Sequence, residues 1–185
     1  FLAGLRVVLR KLKCVLIGVF RVTMYFLCMN HISAPGARAL RKGRLSRPGH
    51  IYFITSVCKD RSPLFADDIA AGIAHCCLLD ELTWPDARCL AWVIMPDHLH
   101  ALIQLGVKEP LSLVVQRMKG LIAVKVNQQV GISKVFWQRG FHDHALAAHE
   151  DFSGFVRYIV DNPLRAGLVD NAADYAYWWL DDTYP

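Results

Sequence analysis

Between residues 89 and 105 the chain carries two apolar segments, CLAWVIM and HLHALIQL, on either side of a turn at Met95-Pro96-Asp97. A continuous apolar run such as residues 89–95 reads as a buried strand, and Pro-Asp is turn chemistry. A buried strand must lie in a sheet that other elements cover, and the neighbouring sequence supplies them. Residues 50–57 are β-branched and aromatic and read as a strand. Residues 66–82 are rich in Ala, Ile and Leu and read as a helix, with Asp67 and Asp68 suited to its first turn. Pro110 opens a second helix over 110–130, with apolar residues at 111, 114, 115, 118, 121 and 122. Residues 136–146 read as strand or loop. Over 151–162 the apolar positions 152, 155, 156, 159 and 160 mark a third helix, which Pro163 is expected to stop. The order β-α-β-β-α-β followed by a helix predicts an α+β, ferredoxin-like antiparallel sheet. Its two helices cover one face and leave the other for a ligand or for the last helix.

The chain has 185 residues, of which 54% are hydrophobic and 20% charged, enough for one domain with a core and too apolar for disorder. The six cysteines lack the CxxC spacing of a zinc site and read as small core residues in a reducing cytoplasm. Formal charge is uneven. Residues 1–59 carry 11 Lys/Arg and no acid, whereas residues 60–185 carry 10 Lys/Arg against 16 acids. The basic excess therefore belongs to the N-terminal third. Residues 1–28 are apolar but interrupted by Arg21, so neither a membrane span nor a signal peptide is favoured. The expectation is an upstream, non-native extension ahead of a start at Met29. Residues 29–49 then form a basic arm that includes Arg38, Arg41, Lys42, Arg44 and Arg47. Residues 50–170 form the main domain and 171–185 an aromatic tail that anchors to the core.

Two local patterns carry chemistry. In a strand starting at His98, period-2 alternation puts His98 and His100 on one face with Leu99 opposite. Two imidazoles spaced this way can chelate a divalent ion while leaving open positions, and a third ligand must come from elsewhere. Asp97 reads mainly as a turn residue. On the last helix, Phe155, Val156, Ile159 and Val160 share the apolar face, while Asp151, Tyr158 and Asn162 line one edge of it. Tyr158 and Asn162 are i and i+4, so a phenol and a carboxamide are neighbours, a pair suited to nucleophile and metal ligand.

Five segments stand together in a familiar order: PGHIYFITSVCKDRSPLF at 48–65, AWVIMPDHLHALIQL at 91–105, MKG at 118–120, VFWQRGFHDH at 135–144 and YIVDNPLRAGLV at 158–169. On these motifs the chain resembles the REP-associated tyrosine transposases, a branch of the single-tyrosine HUH (His-hydrophobic-His) transposases. The resemblance implies that His98, His100 and Asn162 hold Mg2+ or Mn2+ and that Tyr158 is the nucleophile. It implies a 5′-phosphotyrosine intermediate on single-stranded, hairpin-bearing DNA from repetitive palindromic elements. Arg41, Lys42, Arg44, Arg47, Lys119 and Arg165 are the expected DNA contacts. It further implies a cytoplasmic, nucleoid-associated protein with no membrane partner, either monomer or homodimer. The chain departs from the family at Ala147, where an Arg is common, and at His149, in a stretch that is usually more acidic. The alternative is a catalytically decayed module that binds hairpin DNA. A relaxase-like or replication-initiating nickase would ordinarily be longer.

Overall fold

The computed structural model describes residues 46–131, 133–147 and 149–184. The 1–28 extension and the arm residues Arg38, Arg41, Lys42 and Arg44 lie outside them. Among the described residues, five strands and four helices follow in order: β1 (Ile51–Val57), α1 (Asp68–Leu79), β2 (Ala87–Met95), β3 (His98–Leu105), α2 (Leu111–Val130), β4 (His142–Ala145), α3 (Phe152–Val160), α4 (Asn162–Arg165) and β5 (Trp178–Leu180). The strands form one antiparallel sheet in the order β4-β1-β3-β2-β5. The first four positions are the ferredoxin-like arrangement expected from the sequence, and the tail adds β5 at the β2 edge.

The helix boundaries have local causes. The Asp67 side chain accepts from Ala70 N at 2.9 Å and caps α1. Pro110 precedes α2, which ends at Gly131 in the left-handed region (φ 68°), a conformation that glycine takes without steric cost. Both helices pack on one sheet face through Ile73, Ala74, Cys77 and Leu78 of α1 and Val114, Val115, Met118 and Ile122 of α2. Trp92, Ile94, Leu99, Ala101 and Ile103 meet them from the sheet.

The opposite face is covered by α3, whose Ile159 is fully buried against Leu90, Val93, Met95 and Leu102. The third helix thus takes the face that the sequence left for it or for a ligand. A bulge between Cys89 and Ala91 sets the phase of β2. Leu90 and Ala91 both fall on the α3 side, so Trp92 and Ile94 return to the α1–α2 side. The apolar run in the sequence conceals this extra residue because both faces of β2 are buried.

Pro163 breaks the last helix but does not end the helical path. It lacks the N–H that would bond back to the preceding turn, so α3 stops at Val160. Asp161 nonetheless stays in the right-handed helical region, and α4 continues at once from Asn162. Asn162 therefore opens a short second helix, where the sequence placed it at the end of the first.

The aromatic tail is part of the core. Trp179 stacks on the fully buried Trp92 with centroids 4.5 Å apart, and the Tyr175 hydroxyl donates to Ile94 O at 2.7 Å. Trp179→Ala is expected to lower unfolding free energy by about 2–3 kcal/mol, because it removes a stacked aromatic and uncovers β2. A urea midpoint unchanged from the parent would contradict that role. Cys58, Cys77 and Cys89 are buried free thiols. Among the described residues no helix is long and apolar enough to cross a membrane.

Candidate active site

The exposed end of the α3-covered face is built from β1, β3 and α3. Register pairs Thr55 with His100 and Val57 with His98, so β1 and β3 present their side chains in matched rows. His100 is 6% exposed, and its ring stacks on Phe53 with centroids 5.1 Å apart. Ile159 anchors α3, and the residue before it, Tyr158, then falls at the margin of the buried face. Its ring stands edge-on to Phe53 at 5.7 Å and to His100 at 5.5 Å. The side that faces away from this packing leaves Tyr158 37% exposed.

The two histidines converge. Their Nε2 atoms are 3.1 Å apart. Each ring is engaged at Nδ1: His98 by the Asp97 carboxylate at 2.6 Å and His100 by Thr55 Oγ1 at 2.8 Å. Holding Nδ1 directs Nε2 of both rings inward. An ion bonded at about 2.1 Å to two nitrogens, with its bonds at right angles, needs those nitrogens about 3 Å apart. The donor pair therefore fits a single divalent cation. Burial, and secondarily the neighbouring His98, push the His100 imidazole down to about 3, so the ring is neutral at ordinary pH, the form able to bind a cation. Burial alone would raise the Asp97 carboxyl, but hydrogen bonds from His98 and Arg61 bring it below its ordinary value.

The other expected site residues are distributed unevenly. Asn162, half-buried, lies one helical turn beyond Tyr158 at the start of α4. From the end of α4, Arg165 sets its guanidinium over the Tyr158 ring, 4.6 Å from the centroid. Arg47 is exposed on the segment before β1.

Lys119 occupies a different setting. Its Nζ donates to Gln138 O at 2.8 Å and Gly140 O at 2.6 Å, while Trp137 Nε1 donates to Lys119 O at 3.0 Å. Lys59 N and Gln138 N in turn bond Phe136 O and Val57 O. The MKG and FWQRG motifs thus meet in space and tie the 136–140 loop to the end of β1. Burial brings the Lys119 ammonium down to about 8 from 10.5. Between these values the unfolded chain binds more protons than the folded one, so stability rises with pH. The stability of the parent relative to Lys119→Met is expected to increase from pH 7.5 to pH 10, measured by urea unfolding at both. A flat difference would show that the amine is not held in this buried position.

Sequence reasoning missed Thr55, Phe53 and Arg61, and it took Asp97 mainly for a turn residue. The Asp97 role was signalled by its place directly before His98. Thr55 and Phe53 become visible only through the β1–β3 register.

A family model described as "Transposase IS200 like" matches residues 47–162. The chain belongs to that family. Membership places it among the transposases, enzymes that cleave DNA. Two Haemophilus influenzae proteins are similar to it. One, provisionally named a REP-associated tyrosine transposase, is 26% identical over 139 residues, covering 70% of this chain and 78% of the relative. The other, uncharacterized, is 24% identical over 144 residues, covering 61% and 79% respectively. A solved REP-associated tyrosine transposase bound to a REP hairpin superposes with a TM-score of 0.60 at 23% identity, covering 73% of this chain and 79% of that one. The IS200-like fold is therefore the fold of this chain, and the motif resemblance and these findings agree.

Proposed function

We propose that this IS200-like chain is a metal-dependent strand transferase that cuts and rejoins single-stranded, hairpin-bearing DNA through a 5′-phosphotyrosine on Tyr158. One observation carries the reading: two Nε2 atoms 3.1 Å apart with a half-exposed tyrosine ring beside them, all on one end of one sheet face. His98, His100 and Asn162 are the residues to hold Mg2+ or Mn2+. Bound there, the ion would polarise the scissile phosphate and offset the charge that builds during attack.

Tyr158 Oη attacks phosphorus; the Oη–P bond forms as the P–O3′ bond breaks. The phenolic proton leaves to solvent, and the departing 3′ oxygen takes up a proton to become a hydroxyl. Attack by a 3′-hydroxyl on the phosphotyrosine reverses these steps and rejoins strands with no external energy source, because each step exchanges one phosphodiester for another. Phe53 and Arg165 fix the Tyr158 ring from two sides, which keeps the phenol presented to a substrate phosphate. Arg47, Arg165 and the arm residues Arg41, Lys42 and Arg44 offer cations to the DNA backbone, and Lys119 holds the loop next to β1. The hairpin in the similar solved structure supports hairpin DNA as the substrate.

The test is incubation of the full chain with labelled single-stranded hairpins from its own locus and Mn2+, followed by a denaturing gel. A covalent protein–DNA band is expected. Hairpin binding with no covalent band for any flanking sequence would replace this reading with that of a binding module.

A further inference from the structure

We propose that Asp97, steadied by Arg61, is a positioning residue that sets how tightly the His98–His100 pair takes a divalent cation; this rests on the metal reading above. The Asp97 carboxylate is divided between two partners. Oδ1 lies 2.6 Å from His98 Nδ1, and Oδ2 accepts from Arg61 Nη1 at 3.0 Å. With Oδ2 occupied, the carboxylate plane is fixed and Oδ1 is aimed at the imidazole. A carboxylate on Nδ1–H selects the tautomer whose lone pair is on Nε2 and makes that nitrogen a stronger donor to a cation.

The backbone is arranged to deliver this contact. Cys58 N donates to Asp97 O at 2.8 Å and Phe65 N to Pro96 O at 2.9 Å, so the 58–65 segment is laced to the turn that carries Asp97. Within that segment Asp60 and Arg61 both adopt the left-handed conformation (φ 57° and 50°), which residues other than glycine seldom take. The Arg61 side chain is 72% exposed, so its ion pair adds little to folding. An unusual backbone that serves a surface ion pair of small stabilising value is better explained by what the pair does to Asp97. The two histidines also differ in need. His100 is buried and stacked on Phe53, whereas the His98 side chain is 18% exposed and takes its orientation from Asp97.

The experiment titrates the full chain with Mn2+, following the free-ion signal by electron paramagnetic resonance, and reads the His98 tautomer from imidazole 15N shifts. Asp97→Ala is expected to weaken Mn2+ binding about 10–100-fold and to leave His98 with mixed tautomers. Asp97→Asn retains an oxygen that accepts from Nδ1–H, so it should restore the single tautomer and part of the affinity. Arg61→Ala should fall between the parent and Asp97→Ala. Parent-like Mn2+ affinity in Asp97→Ala, or a single unchanged His98 tautomer there, overturns the proposal. Should Asp97→Ala fail to fold, equal affinity in Asp97→Asn and the parent overturns it instead. Failure of the metal reading looks different: the parent and His100→Ala would give the same Mn2+ curve, which would sink both.

Discussion

Tyr158→Phe is expected to remove the covalent DNA adduct altogether and to cut strand cleavage by at least about 10^4-fold. The substitution deletes one oxygen and leaves the ring. Phe at 158 keeps the edge-on contacts with Phe53 and His100 and the face beneath Arg165. With the parent residue already 37% exposed, stability should change by no more than about 0.5 kcal/mol. Hairpin affinity should also persist, because the proposed function assigns the phosphate contacts to cationic side chains and not to the phenol. The expected pattern is therefore normal melting, normal binding and no covalent band. A band that survives in Tyr158→Phe would move the nucleophile elsewhere, since no second oxygen at this position could replace the first.

The main elements and the two faces of the ferredoxin-like core were legible because apolar periodicity records burial directly. The third helix shows the same rule: its apolar edge from Phe152 to Ile159 identified the face that now sits on β2 and β3. Legibility failed where a local rule met tertiary context. Pro163 was read as a stop, yet Asp161 stays helical and α4 follows it. The β2 bulge was invisible because residues on either side of it are apolar whichever face they occupy. At the site, His98, His100 and Tyr158 were named from spacing and motif, and the structure brings those three side chains together. Thr55 and Arg61 were not, since a β1 hydroxyl and a turn guanidinium gain meaning only when strand pairing sets them beside an imidazole or its carboxylate. Lys119 illustrates the converse. Its motif drew attention to the residue, but the two carbonyls that it binds belong to a loop about twenty positions downstream.

His98→Ala and His100→Ala are both expected to abolish cleavage and to weaken Mn2+ binding by more than about 100-fold, because under the proposed metal site each removes a direct ligand where even a supporting partner is worth about 10–100-fold. Chelation of the parent should mimic either variant, and added Mn2+ should restore the parent alone. The two variants part company in stability. His100 is 6% exposed, stacked on Phe53 and bonded to Thr55, so its truncation opens a gap between β3 and α3 and strands the Thr55 hydroxyl. A loss of about 2–3 kcal/mol follows. His98 is more exposed and gives up one hydrogen bond to Asp97, for a loss of about 1 kcal/mol. His98→Ala is thus the cleaner probe of the chemistry: a folded, hairpin-binding protein that forms no adduct at any Mn2+ concentration. If His98→Ala instead cleaved at the parental rate, the Nε2 pair would be a structural contact, and the cation would have to bind elsewhere or play no part.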